Sequence, residues 1–211
     1  MSRVPRAGRR DPEKTQERIL LAATDEFARH GLGGARVDRI AARAGANKRM
    51  LYYYYGNKDD LFLAVLESRY AHIRNAEESL HLRDLDPEQG IRKLVEFTWS
   101  YYLRHPEFMT LLNSENLHKA RHIRHSGWIA AMHSNFLEML GDILRRGARA
   151  GEFRRGVDPV QLYISIAALG YFYLGNRYTL STIFRRPLLA PRHRAARLQH
   201  MTDMVLGYLK K

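Results

Sequence analysis

The sequence contains no cysteine. That excludes disulfides, a thiolate nucleophile and a cysteine-ligated zinc, and it fits a reducing cytoplasm. No run approaches the roughly 18 apolar residues of a membrane span. The most apolar segment, YISIAALGYFYL at 163–174, is too short and reads as a buried helix. Alternating strand patterns bounded by hairpin signals are missing, and so are repeats and low-complexity segments. Catalytic signatures are missing too: no Ser-His-Asp order with a nucleophile elbow, no HExxH, no glycine loop for phosphate. Neither an enzyme nor a cofactor is expected. MSRVPRAGRR at the N-terminus is basic but has no apolar run behind it, so a secretory signal is not expected.

What the chain has in excess is positive charge. Its 211 residues carry a formal net charge of +13, which favours a polyanionic partner, nucleic acid or an anionic membrane surface. The basic residues do not lie along one long amphipathic helix, so the membrane surface is disfavoured. Residues 1–58 hold 13 Lys and Arg against 6 Asp and Glu, while the rest hold 22 against 16. The N-terminal quarter is therefore the more basic per residue. Hydrophobic residues make up 45%, enough for a globular core.

Helix signals run the length of the chain. Residues 1–11 read as a flexible basic arm. DPEK starts a helix with Asp11 as N-cap and Pro12 at the first position. Ile19, Ala23 and Phe27 give it one apolar face, and GLGG stops it. Val37, Ile40, Ala41 and Ala44 form a second, very short helix ended by Gly45. Asn47 caps a third from about Lys48 to Tyr54, and Asn57 caps a long fourth with Leu61, Phe62, Val65, Leu66 and Tyr70 inward. Asp86-Pro87 and Asp158-Pro159 repeat the Asp-Pro start, His105-Pro106 marks a break, and RRPLLAPRH is a loop before the last helix. The expected class is all-α: a three-helix unit at 12–57 and a larger helical bundle at 58–211.

RVDRIAARAGANKRMLYYYYGNK, residues 36–58, carries the chemistry. Two short helices joined by a turn containing Gly are the pattern of a helix-turn-helix. The second enters the major groove, so its outer face needs hydrogen-bond donors. Lys48 and Arg49 stand at its start, where base edges are met. The four tyrosines split by helical spacing. Tyr54 and Tyr55 tie the helix to its neighbours, while Tyr52 and Tyr53 face outward, with hydroxyls able to donate to phosphate. Lys58 adds charge beside the next helix's N–H groups, a phosphate site. The plainer alternative is a solvated basic face over an aromatic core.

VDRIAARAGANKRMLYYYYGNKDDLF resembles the DNA-binding segment of the TetR family of bacterial repressors. The family pattern falls on Ile40-Ala41, Ala44-Gly45, Leu51-Tyr52-x-Tyr54 and Lys58-x-x-Leu61, and the likeness covers roughly residues 13–66. Tyr55 stands where the family usually has Phe, and Asn47 where Ser or Thr usually caps. The resemblance implies a cytoplasmic homodimer that binds a palindromic operator in double-stranded DNA and releases it when a small molecule binds the C-terminal domain. By position it assigns base reading to Lys48, Arg49 and Tyr53, and phosphate contacts to Tyr52, Lys58, Arg36 and Arg39. Met50 is placed to touch a thymine methyl, and Asn47 to reach DNA beyond its cap. Arg3, Arg6, Arg9 and Arg10 are candidates for the minor groove, or else a tail adding unspecific affinity. A DNA-binding architectural protein without effector is the alternative.

In the C-terminal domain, Trp99, Tyr102, Phe108, Glu115, Asn116, Trp128, Phe136, Tyr163 and Tyr171 are candidates to line an effector cavity; ordinary core is the competing reading of each. Glu115, His118, His122 and His125 recur at spacings of three, four and three. On one continuous helix they would share a face, and His118 and His122 would then offer a divalent metal two ligands. Arg121 and Arg124 lie close by, so a solvated basic face is preferred and no metal is expected. The resemblance implies a dimer interface on the last two helices, with Ala167, Ala168 and Gly170 for close approach and Leu198, Met201, Val205 and Leu209 for apolar cover; ordinary core within the chain is the competing reading.

Overall fold

Ile19, Ala22, Ala23 and Phe27 fall on one stripe of the first helix, and all four are buried. The computed structural model describes residues 12–210, so the Asp11 cap and the arginines of the arm lie outside the described residues. Ten α-helices and two short 3-10 turns follow in order, with no strand among the described residues. They are α1 (Pro12–Gly34), α2 (Val37–Arg43), α3 (Lys48–Tyr55), α4 (Lys58–Glu78), α5 (Pro87–Arg104), α6 (Pro106–Leu117), α7 (Gly127–Arg149), α8 (Pro159–Gly175), α9 (Arg177–Ile183) and α10 (Pro191–Leu209). The all-α reading holds.

The chain divides into two compact units. The first runs to Ser68 and includes Thr110–Ser126; the second holds Arg69–Met109 and the chain from Gly127 onward. α4 and α6 thus each contribute to both.

The first unit is built on Ile19, Phe27, Ile40, Leu51, Leu61, Phe62, Leu66 and Leu111, all fully buried. Phe27 meets Phe62 edge-on, with centroids 5.1 Å apart. The expected stop at GLGG is a kink instead: Gly31 leaves helical geometry inside α1, and the Leu32 N–H donates to Ser114 Oγ at 3.3 Å.

In the second unit α5 packs against α7, α8 and α10. Leu94, Val95, Leu140, Ile143, Leu162, Ile166, Met201 and Leu209 fill its centre. Both Asp-Pro starts begin helices, and Asp158 accepts the Val160 N–H at 2.8 Å. The apolar segment at 163–174 lies within α8, which ends at Gly175, and α9 begins at Arg177. Gly170, expected at a dimer contact, faces inward: a Cβ there would stand 3.2 Å from the Tyr102 ring. Met201, Val205 and Leu209 are likewise core of this unit. Neither α8 nor any other described helix is long and apolar enough to cross a membrane.

Candidate nucleic-acid interface

α2 is fixed by an acid that the apolar pattern of α1 hides. Glu26 stands at position i+7 of the stripe that starts at Ile19, and only 5% of it is exposed. It accepts the Arg36 N–H at 2.9 Å and Arg39 Nε at 2.7 Å, so it satisfies the first free donor of α2 and holds its first turn. Burial alone would raise this carboxyl's pKa; the Arg36 N–H, Arg39 and His30 outweigh it, and the net direction is down. Sequence reasoning missed Glu26. The available signal was a charge on a buried face, which requires a partner.

The α2–α3 turn is a left-handed helix stop. Gly45 sits at φ 59°, its N–H reaches Ala42 O, and the Ala46 N–H reaches Ala41 O at 3.0 Å. That hydrogen-bond pair is a Schellman closure, which favours Gly at this position. Asn47 Oδ1 then accepts the Met50 N–H at 2.8 Å, capping α3 as expected.

α3 is anchored from behind. Leu51 is fully buried. Tyr54 packs on the core of the first unit, and the Tyr55 hydroxyl donates to Gln16 O of α1 at 3.0 Å. Burial pushes the Tyr55 phenol's pKa up. Arg49, Tyr52 and Tyr53 face the other way. Tyr52 is 45% and Tyr53 82% exposed. Arg49 is exposed and has no hydrogen-bond or ion-pair partner among the described residues. Spacings of three and four put the three on one face, leaving donors and phenols free toward solvent.

The remaining expected contacts are more occupied. Lys48 pairs with Asp38 of α2 across the turn. Arg39 is spent on Glu26 and on Gly34 O, at 3.1 Å. Arg36 is exposed, with its backbone N–H held. Lys58 opens α4, but Asp59 and Asp60 follow it in the first turn. Asn57 Oδ1 already accepts the Asp60 N–H at 2.9 Å, so fewer donors are left for a phosphate than the sequence suggested.

The effector candidates do not form one site. Trp99, Tyr102 and Phe108 are packed core of the second unit, while Trp128 is 47% exposed. Tyr102 contacts the rings of Phe108 and Tyr171. Glu115 and Asn116 fall in the first unit. Glu115 is fully engaged there, accepting the N–H groups of His122 and Ile123 and contacting His122 Nδ1 at 2.6 Å. Asn116 donates to Leu112 O. The histidines do not share a helix: α6 ends at Leu117, and Lys119 and Ala120 both take positive φ. Among the described residues no cluster of three or more His, Asp or Glu is placed to hold a metal.

A cavity of about 360 Å³ lies instead beside α4 and α7 of the second unit, bordered by Arg74, Glu77, Met132, Asn135, Phe136 and Met139 among others. Of the aromatic candidates, Phe136 borders it directly. Tyr163 is linked to it through a bordering residue: its hydroxyl accepts from Arg74 Nη2 at 3.0 Å.

Residues 19–65 match the family of bacterial regulatory proteins designated tetR. Residues 87–205 match a tetracyclin repressor-like C-terminal domain. The chain is 40% identical over 199 residues to the HTH-type transcriptional repressor NicS of Pseudomonas putida, covering 94% of each. It is 46% identical over 108 residues to the HTH-type transcriptional repressor SCO4008 of Streptomyces coelicolor, covering 51% of this chain and 53% of that one. Among solved structures, that of the transcriptional regulator SCO4942 of Streptomyces coelicolor superposes with a TM-score of 0.68 at 25% identity, over 90% of this chain and 97% of that one.

Proposed function

Because the chain belongs to the TetR family of bacterial regulatory proteins, we propose that it is a transcriptional repressor. It binds a palindromic operator as a homodimer and lets go when a small molecule occupies the second unit. DNA reading falls to residues 12–57, with α3 in the major groove; effector binding and dimerisation fall to the chain beyond.

The observation that carries this reading is the two-sidedness of α3. Leu51, Tyr54 and Tyr55 fasten one side to the unit, and Arg49, Tyr52 and Tyr53 are left exposed on the other among the described residues. Arg49 has the two-pronged donor geometry that suits a guanine edge. Tyr53 reads beside it, Tyr52 and Arg36 hold phosphates, and Lys48 joins when DNA displaces Asp38. The remaining N–H groups of Arg39 and the ammonium of Lys58 contribute charge.

Dimerisation is supported by apolar surface at the C-terminal end of the chain. Ile164 and Phe172 on α8, Tyr178 and Ile183 on α9, and Met204 and Tyr208 on α10 are all exposed. A second copy would cover them, and a dimer matches a palindrome through shared two-fold symmetry. The cavity at Arg74 favours an effector-responsive protein over a purely architectural one.

Selection of binding sites from random duplex DNA tests the proposal, with Lys48→Ala/Arg49→Ala as the control. Recovery of a palindrome by the native protein, lost in the control, supports a dimeric sequence reader. Equal recovery by both proteins would sink the assignment of α3.

A further inference from the structure

Arg74 is an unusual residue to find inside a bundle. Only 4% of it is exposed. Its guanidinium lies 4.3 Å from the centroid of the Phe136 ring and donates through Nη2 to the Tyr163 hydroxyl. Glu77, one helical turn on and 3% exposed, brings Oε2 within 2.7 Å of Nη1. The two are close enough to attract but are not aligned for a hydrogen bond. Arg74 Nε and Nη1 and Glu77 Oε2 are all without a hydrogen-bond partner among the described residues. Buried polar atoms in native proteins are nearly always paired, and these belong to two residues that border the 360 Å³ cavity.

We infer that this cavity is a binding site for a small carboxylate, received by the Arg74 guanidinium, with the rest of the molecule against Met132, Phe136 and Met139. The inference rests on the effector-responsive reading and names the chemical class of the effector. A carboxylate offers two coplanar acceptors, the complement of a guanidinium with unspent N–H groups. A volume of this size admits a compact organic acid. Other charges border the cavity, among them Glu78, Arg83 and Asp84, but they are exposed and of mixed sign, so solvent screens them. The choice is made by the buried pair. Burial, opposed by Arg74, pushes Glu77 up to about 7. Near neutrality much of Glu77 therefore carries a proton, and a protonated Glu77 donates to the incoming carboxylate instead of repelling it.

Titration calorimetry on the full chain tests this with benzoate and octanoate, each set against its amide and its amine. The carboxylates should bind at least tenfold more tightly than either counterpart. Arg74→Met should abolish that preference. Glu77→Gln, which keeps Arg74 and removes its competing acid, should strengthen carboxylate binding several-fold, so the test stands even if Arg74→Met fails to fold. Absence of binding by both carboxylates at millimolar concentration, equal affinity for all three head groups, a preference for the amine, or weaker carboxylate binding by Glu77→Gln would each overturn it. Operator selection on the same preparation separates the two readings. A palindrome without carboxylate binding removes this site and leaves the repressor standing. Carboxylate binding without a palindrome supports the site and removes the repressor.

Discussion

Arg49 and Tyr52 share an exposed face of α3 but suit different tasks. A guanidinium distinguishes guanine from other bases, whereas a phenol on a phosphate does not distinguish sequences. Arg49→Ala should cost about 1–3 kcal/mol on the selected site and flatten the preference between sites. Tyr52→Phe should weaken every duplex by a similar, smaller factor. Fluorescence anisotropy on selected and scrambled duplexes distinguishes the two; uniform loss in both variants would refute the division. Glu77 makes a different prediction. Its folded pKa of about 7 stands above the ordinary 4.5, so the folded state keeps a proton that the unfolded chain has lost. Its contribution to stability therefore falls as pH rises from about 4.5 to about 7, and is flat beyond. Glu77→Gln should gain thermal stability relative to the native protein between pH 5 and pH 8, a window of about 3 units around that titration. A gap that narrows over this range would contradict the assignment. Glu26 has the opposite sign: its lowered pKa stabilises above about 4.5, and that support is lost in acid. Glu26→Gln should cost about 2 kcal/mol near neutrality and loosen α2, with the deficit shrinking in denaturant melts as acid protonates Glu26.

Among the elements, α3 starts on its cap, Asn47. Asn47→Ala should destabilise by ~1 kcal/mol through loss of the Met50 N–H partner. Asn47→Ser should restore the cap. If Asn47 also touches DNA, the Ser variant will melt like the native protein yet bind its operator more weakly; unchanged affinity would confine Asn47 to the cap. Helices of this kind were legible in the sequence because their signals are local. Asn47, Gly45 and the two Asp-Pro pairs act within one turn of where they stand, and the split of the tyrosines followed from spacing alone. What was not legible depends on packing between distant segments. Trp99, Tyr102 and Phe108 are the right residue types for a cavity wall, but Trp99 packs on Tyr173 and Tyr102 on Tyr171 of α8, and Phe108 on Tyr70 of α4 and Tyr101 of α5. Arg74 and Glu77, at three apart on α4, carry no local signal that they are buried. Phe136 and Tyr163, distant in sequence, pack on Arg74. The histidine series shares no face because helical spacing holds only while the helix continues, and it stops at Leu117.

At the scale of the whole molecule, charge and apolar surface divide the work. The formal +13 promises strong but unspecific attraction to any duplex. The logarithm of affinity for unselected DNA should accordingly fall linearly with the logarithm of salt concentration, while discrimination between duplexes changes little. Association is assigned, under the proposed function, to the exposed residues of α8 and α10. Phe172→Glu or Ile164→Glu should keep the helical circular dichroism but sediment as a monomer, with operator affinity falling by about 1.4 kcal/mol or more, tenfold or greater. A dimer that persists in both variants would place the interface elsewhere. That uncovered face also bears on gene dosage. When single chains must meet before an operator can be held, its occupancy at low abundance rises with the square of the number of chains in the cell. Halving expression would then release the regulated gene more sharply than any loss of affinity of the same factor.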